Sequence, residues 1–259
     1  MKLKLYISPC PNDTFMFHAL VHGLVDLEGL EFEVEYHDIE QLNSRAMTAE
    51  ADVSKISCAV LPALKKHYAL LDSGAALGRG NGPLLVKRKG FEGELRKVAV
   101  PGEYTTANAL VSGLFPLIEE RVPMLFSDIA EAVECGDYDG GVLIHEGRFV
   151  YERRNLELVA DLGVEWERLT DLPLPLGGIV VRRELGADAK GRMERVLRRS
   201  IEYAFANPMA SRDYVKAHAR ELEDDVIEKH IALFVNDFSL SLGNQGRQAI
   251  SYLTGEEVE

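Results

Sequence analysis

The sequence predicts an α/β protein built as two lobes, and three observations carry that reading. Short apolar runs with strand periodicity alternate with segments of helical pattern along most of the chain. A glycine-containing polar stretch, Lys89-Gly90-Phe91-Glu92-Gly93-Glu94, breaks the alternation, and a second β/α series restarts at Lys97. From Gly191 to Tyr252 the pattern is mainly helical, with Val196, Ile201, Phe205 and Tyr214 among its apolar positions. The expected lobes are residues 1–96 with 174–259, and residues 97–173, with the C-terminal helices returning to the first.

The elements follow in order. Leu3-Lys4-Leu5-Tyr6-Ile7 alternates as a strand, and Phe15-Met16-Phe17-His18-Ala19-Leu20 reads as a helix. Between them, Ser8-Pro9-Cys10-Pro11-Asn12-Asp13-Thr14 is a turn stiffened by two prolines, with Asn12, Asp13 and Thr14 suited to capping the helix. Such a turn aims backbone N–H groups beyond the strand end, where open α/β sheets bind ligands. Ser8 and Asn12 are therefore candidate binding residues, although a plain βα loop accounts for the same residues equally well. Leu30 to Tyr36 is a period-2 strand with acids on one face, and Ile39 to Ala49 is helical with Leu42, Ala46 and Met47 on one side. Val53 to Ser57 reads as a buried strand, and Ala59 to Tyr68 as a helix despite Pro62. After the turn Gly78-Arg79-Gly80-Asn81-Gly82-Pro83 come strands at Leu84–Lys87 and Arg96–Val100, then a helix from Thr105 to Leu117. Tyr138 to Ile144 is a strand delivering His145 at its end, and Leu174 to Arg182 is another strand.

Composition narrows the function classes. A net charge of −13 argues against nucleic-acid and anionic-membrane partners. No apolar run approaches the ~18 residues of a membrane span. The N-terminus enters a strand directly, without an apolar signal core, and Cys10, Cys58 and Cys135 are an odd, widely spaced set that argues against a disulfide framework. A cytoplasmic address is expected. Among the seven histidines only His18 and His22 have i, i+4 spacing, and no carboxylate context completes a zinc signature, so no metal site is expected.

Four segments have the residues for chemistry. In the first turn, Cys10 between two prolines reads as a packed thiol rather than a nucleophile. In Ser54-Lys55-Ile56-Ser57-Cys58, Ser57 is placed to cap a helix and Lys55 to set a positive charge beside an anion, with a plain surface lysine as the alternative. In Pro101-Gly102-Glu103-Tyr104-Thr105-Thr106-Ala107-Asn108, two threonines at a helix start offer donors to a carboxylate or phosphate. In Gly140-Gly141-Val142-Leu143-Ile144-His145-Glu146-Gly147-Arg148, the strand-end position of His145 suits a general base, against the alternative of a hydrogen-bonded structural histidine.

Six ordered motifs then mark a resemblance over essentially the whole chain: Ser-Pro-Cys-Pro-Asn-Asp-Thr-Phe at 8–15, Lys-Ile-Ser at 55–57, Gly-Arg-Gly-Asn-Gly-Pro-Leu at 78–84, Pro-Gly-Glu-Tyr-Thr-Thr-Ala at 101–107, Ile-His-Glu-Gly-Arg-Phe at 144–149 and Leu-Pro-Leu-Pro-Leu-Gly at 172–177. The chain resembles the 1,4-dihydroxy-6-naphthoate synthase family of the futalosine route to menaquinone, ending slightly earlier at its C-terminus. The resemblance implies a two-lobed fold like type 2 periplasmic binding proteins, with a ligand cleft between lobes. It implies a lyase that releases 1,4-dihydroxy-6-naphthoate and dihydroxyacetone from cyclic dehypoxanthine futalosine, a small carboxylate, without redox or metal cofactor. The family's proton acceptor falls on His145, and its substrate segments on Lys55, Ile56, Ser57, Thr106 and Ala107, to which the local reading adds Ser8, Asn12 and Thr105. Two rivals are a chorismate dehydratase of the same pathway, against which residues 8–14 argue, and a non-catalytic small-anion solute-binding protein, against which the N-terminus argues.

Overall fold

The computed structural model describes residues 1–80, 82–145, 147–219 and 223–258, with Phe149 and Val150 as backbone. Asn81 and Glu146, both inside the motifs above, lie outside the described residues. Contacts divide the chain into one unit of Met1–Leu77 with Pro175–Glu259 and a second of Gly78–Leu174.

In chain order the first segment holds β1 (Lys2–Ile7), α1 (Pro11–Val21), β2 (Glu31–Tyr36), α2 (Ile39–Met47), β3 (Val53–Ser57), α3 (Leu61–Leu64), β4 (Tyr68–Leu70) and β5 (Ala76–Gly78). The second unit follows with β6 (Leu84–Arg88), β7 (Lys97–Val100), α4 (Thr106–Leu114), β8 (Glu120–Pro123), α5 (Ile129–Cys135), β9 (Gly140–Leu143), α6 (Gly147–Val150), β10 (Leu156–Asp161) and α7 (Leu162–Thr170). The chain returns through β11 (Leu174–Arg182) to α8 (Gly186–Ala206), α9 (Arg212–His218), α10 (Asp224–Phe234), α11 (Asp237–Leu240) and α12 (Gly243–Thr254).

The sheet of the first unit runs β2-β1-β3-β11-β4, with β5 also on β11. β1 is parallel to β2 and β3, whereas β11 is antiparallel to β3 and β4. Its core gathers Leu3, Leu5 and Ile7 of β1, Met16, Phe17 and Leu20 of α1, and Val196, Leu197 and Ile201 of α8. Each such buried side chain contributes about 1.5–3 kcal/mol. Ser200 locks α8 to α1: its hydroxyl donates to Met16 O at 2.6 Å and accepts from Leu20 N–H at 3.0 Å.

The second unit has its own sheet, β10-β6-β9-β7-β8, and its own core of Leu84, Val86, Ala99, Ile129, Val133, Leu143 and Leu156. Gly141 admits α5 against that sheet, since a Cβ there would stand 2.5 Å from Ile129 Cγ2 and 2.7 Å from Val133 Cγ2.

Several expectations need correction. The first crossing between units falls after Leu77 rather than near residue 96, because β6 pairs antiparallel with β9 and β10. α1 starts at Pro11, with Cys10 preceding it and no side-chain cap, so Asn12, Asp13 and Thr14 occupy its first turn instead of capping it. The helix expected over 59–68 is a 3-10 turn, Cys58–Val60, followed by the four residues of α3. Pro62 lacks the N–H a continuous helix needs, and Tyr68 already belongs to β4. α4 ends at Leu114 rather than Leu117, as Phe115 precedes Pro116 and leaves the helical region. Among the described residues no helix is long and apolar enough to cross a membrane.

Candidate active site

In the first unit the candidate residues gather where β1 and β3, parallel neighbours, end. Lys55 lies within β3 yet is buried, and its Nζ donates to Asp13 Oδ1 at 2.8 Å. The same carboxylate accepts from Ser8 Oγ at 2.6 Å and from Asn12 Nδ2 at 2.8 Å. The lysine charge is thus matched at close range by a buried carboxylate, and the pair presents little net charge. The lysine stem runs beside Gly177 of the neighbouring strand, where a Cβ would stand 3.0 Å from Lys55 Cε and 2.8 Å from Ile56 O.

Ser57 does not cap the turn that follows it. Its N–H donates to Asn43 Oδ1 at 2.8 Å, and its Oγ accepts from Asn43 Nδ2 at 3.0 Å. That pairing fixes the strand end to α2. Ile56 packs with Ala46, Val60, Leu64, Tyr68 and Val180, so its side chain is core, and its backbone is paired with Gly178 of β11. Cys58 is fully buried, and burial pushes its thiol up to about 12, which removes it as a nucleophile near neutral pH. Cys10 is half-buried and donates its N–H to Ser8 Oγ at 3.3 Å.

In the second unit Thr105 caps α4: its hydroxyl accepts from Asn108 N–H at 3.2 Å and donates to Gly102 O at 2.9 Å. Thr105, Thr106 and Ala107 are all buried. A helix's first turn carries N–H groups without carbonyl partners in the helix, and its dipole favours an anion there. His145 follows β9 with φ at +52°, half-buried, and its ring meets Phe126 edge-to-face with centroids 5.1 Å apart. A non-glycine residue in that left-handed region is strained by ~1–2 kcal/mol, and such strain clusters at functional positions. Arg148 of the same motif braces the unit by donating to Gly82 O and, at 3.1 Å, to Asp161 Oδ2. It joins the 144–149 motif to the 78–84 motif, which gives Arg148 a structural role beside His145.

Asp13 and Asn43 are the polar residues whose part sequence reasoning missed. Asn43 had a signal, a polar residue beside Leu42 on the face of α2 that packs inward. Asp13 had none, because Lys55 is distant in sequence. Among the described residues no three His, Cys, Asp or Glu side chains are grouped to hold a metal. His18 and His22 stack with ring centroids 4.5 Å apart, and His22 Nδ1 lies 2.9 Å from His18 O.

Comparison with known proteins adds to this geometry. A family model described as menaquinone biosynthesis matches residues 3–256. A 1,4-dihydroxy-6-naphthoate synthase of Thermus thermophilus is 44% identical over 255 residues, covering 98% of this chain and 93% of that protein. A solved structure from Archaeoglobus fulgidus superposes with a TM-score of 0.90 at 35% identity, covering 97% of this chain and 95% of the other. At 11% identity and a TM-score of 0.71, a Candida albicans protein described as having the generic periplasmic binding protein fold covers 98% of this chain and 90% of its own, a likeness of fold alone. The architecture is therefore the two-unit periplasmic-binding-protein-like one, and the chain belongs to the menaquinone-biosynthesis family, alongside the 1,4-dihydroxy-6-naphthoate synthases.

Proposed function

We propose that the protein converts cyclic dehypoxanthine futalosine into 1,4-dihydroxy-6-naphthoate and dihydroxyacetone, with His145 as general base. The observation that carries the reaction is the 44% identity to a named synthase along nearly the whole chain. His145 takes the basic role because it stands half-buried at a strand end, with its backbone held at φ +52°. It accepts a substrate hydroxyl proton, and the electron pair left on oxygen forms a carbonyl as the adjacent carbon–carbon bond breaks in the retro-aldol sense. The ring fragment then aromatises. The two products together hold all the substrate's atoms, so neither water nor an oxidant is consumed.

The substrate is a small carboxylate, and its charge goes to the first turn of α4, through Thr106 and Ala107. Thr105 shapes that turn, since its own hydroxyl is committed to the cap. Lys55, with its charge matched by Asp13, serves as an orienting donor together with Asn12, beside Ile56 and Ser57, while Ser8, whose single O–H goes to Asp13, offers its oxygen as an acceptor. The enzyme works in the cytoplasm.

Incubation of purified protein with cyclic dehypoxanthine futalosine, followed by chromatography and mass, tests the reading. Formation of 1,4-dihydroxy-6-naphthoate is the expected result. Substrate binding without product indicates a solute-binding protein instead, and dehydration of chorismate in place of either indicates the dehydratase.

A further inference from the structure

We infer that Asp13 is a positioning residue of this site, one carboxylate that sets Lys55, Ser8 and Asn12 for the substrate. The inference rests on the reaction proposed above and extends it to a residue that does not itself meet substrate. Asp13 is completely buried on the first turn of α1, whereas Ser8, Asn12 and Lys55 each retain a few per cent of exposure. Three donors converge on it: Lys55 Nζ and Asn12 Nδ2, each at 2.8 Å from Oδ1, and Ser8 Oγ at 2.6 Å from Oδ2. Two strand ends and a helix start are thereby tied to one group. Ser8 lies just past β1, Lys55 in β3, and Asn12 beside Asp13 on α1.

The geometry goes further than a buried salt bridge needs. Exchanging such a pair for apolar residues is often neutral or stabilising, so stability alone does not explain it. A cation so held keeps a fixed donor direction, which a flexible four-carbon stem does not give by itself. Asp13 therefore converts Lys55 from a mobile charge into an oriented donor. Because Lys55 and Asn12 meet the substrate in ground and transition states alike, the loss on removing Asp13 is expected in KM rather than kcat.

The test uses Asp13→Asn, Lys55→Met and the double variant of the full chain, with kcat and KM on cyclic dehypoxanthine futalosine. Asp13→Asn is expected to raise KM about 30-fold, with kcat within about threefold. In the Lys55→Met background the same change is expected to add less than about threefold, because its effect passes mainly through the lysine. A carboxylate with only a folding role would instead lower the active fraction, and so apparent kcat, with KM unchanged. That result overturns the inference, as do losses that simply multiply. Should Asp13→Asn fail to fold, Asp13→Glu keeps the charge and displaces it by one methylene, and a raised KM at near-unchanged kcat supports the role whereas an unchanged KM overturns it. A wild type without turnover overturns the proposed reaction and this role together. An active wild type whose variants keep its KM overturns the role alone.

Discussion

Replacing His145 by alanine and by glycine separates two properties that this position combines. Both variants remove the imidazole, and both remove its ring contact with Phe126, so that contact cancels when they are compared. Loss of a general base lowers turnover by about 10²–10⁴-fold, which is ~2.7–5.5 kcal/mol of barrier. The variants differ in backbone. At φ of +52° alanine retains a strain of ~1–2 kcal/mol that glycine lacks. Glycine gives back ~0.4–1 kcal/mol through the greater freedom of its unfolded chain. The glycine variant is therefore expected to be the more stable by about 0.5–1 kcal/mol, or about 1–4 °C in Tm for a chain of this length. Calorimetry on both variants, with turnover measured on the same samples, gives both quantities. An alanine variant of near wild-type activity would remove His145 from the mechanism. A glycine variant no more stable than the alanine one would refute the strain.

Gly177→Ala places a methyl carbon 2.8 Å from Ile56 O and 3.0 Å from Lys55 Cε, so β11 or Lys55 must move. A loss of about 1–3 kcal/mol in thermal melts is expected, with a raised KM, and an unchanged KM would show that the lysine does not orient substrate. Glu28 is held down to about 2 by hydrogen bonds from Arg195 and Arg199. Its folded value lies below the unfolded one, so its contribution is present above about pH 4.5 and lost as pH falls towards 2. Melting followed across that window should fall more steeply for wild type than for Glu28→Gln, and parallel curves would show that the cluster contributes nothing. Thiol labelling of the native protein at pH 8 should modify exposed Cys135 readily, whereas buried Cys58 should react only after denaturation. Rapid native labelling of Cys58 would contradict its burial.

Periodicity made the first strands legible. The expected strand at 53–57 is β3, and the one at 30–36 is β2 less one residue. The β2 run alternates over its whole length and leaves little choice, whereas Val-Ser-Lys-Ile-Ser of β3 carries β-branched residues without a regular period. The short elements β4, β5 and β8 escaped notice, because three or four residues carry no period and their pairing partners lie far along the chain. The helix across Pro62 failed for a local reason that the residue itself announces. Within the site, the motifs identified which residues to examine but not how they are joined. Ser57 has the local setting of a helix cap and is instead bound to Asn43 of α2, and Lys55 has that of a charge for ligand and is bound to Asp13. Both partnerships are made by the fold between residues that local pattern treats separately. The backbone of His145 was equally hidden, since nothing in Ile144-His145 requires a left-handed residue.

The placement of β11 has a consequence for how the protein is made. β3 finds its second neighbour in β11, and both β4 and β5 pair with β11 too, yet β11 leaves the ribosome only after Gly78–Leu174 has been synthesised. At bacterial-to-eukaryotic elongation rates that interval of roughly a hundred residues lasts about 5–20 s. By its end the second unit, encoded without interruption, has all its strands to hand, while the earlier-made β3 has waited with one edge unpaired. The younger segment is thus the first able to complete its sheet. The older one keeps that strand edge open to wrong pairing until the chain doubles back.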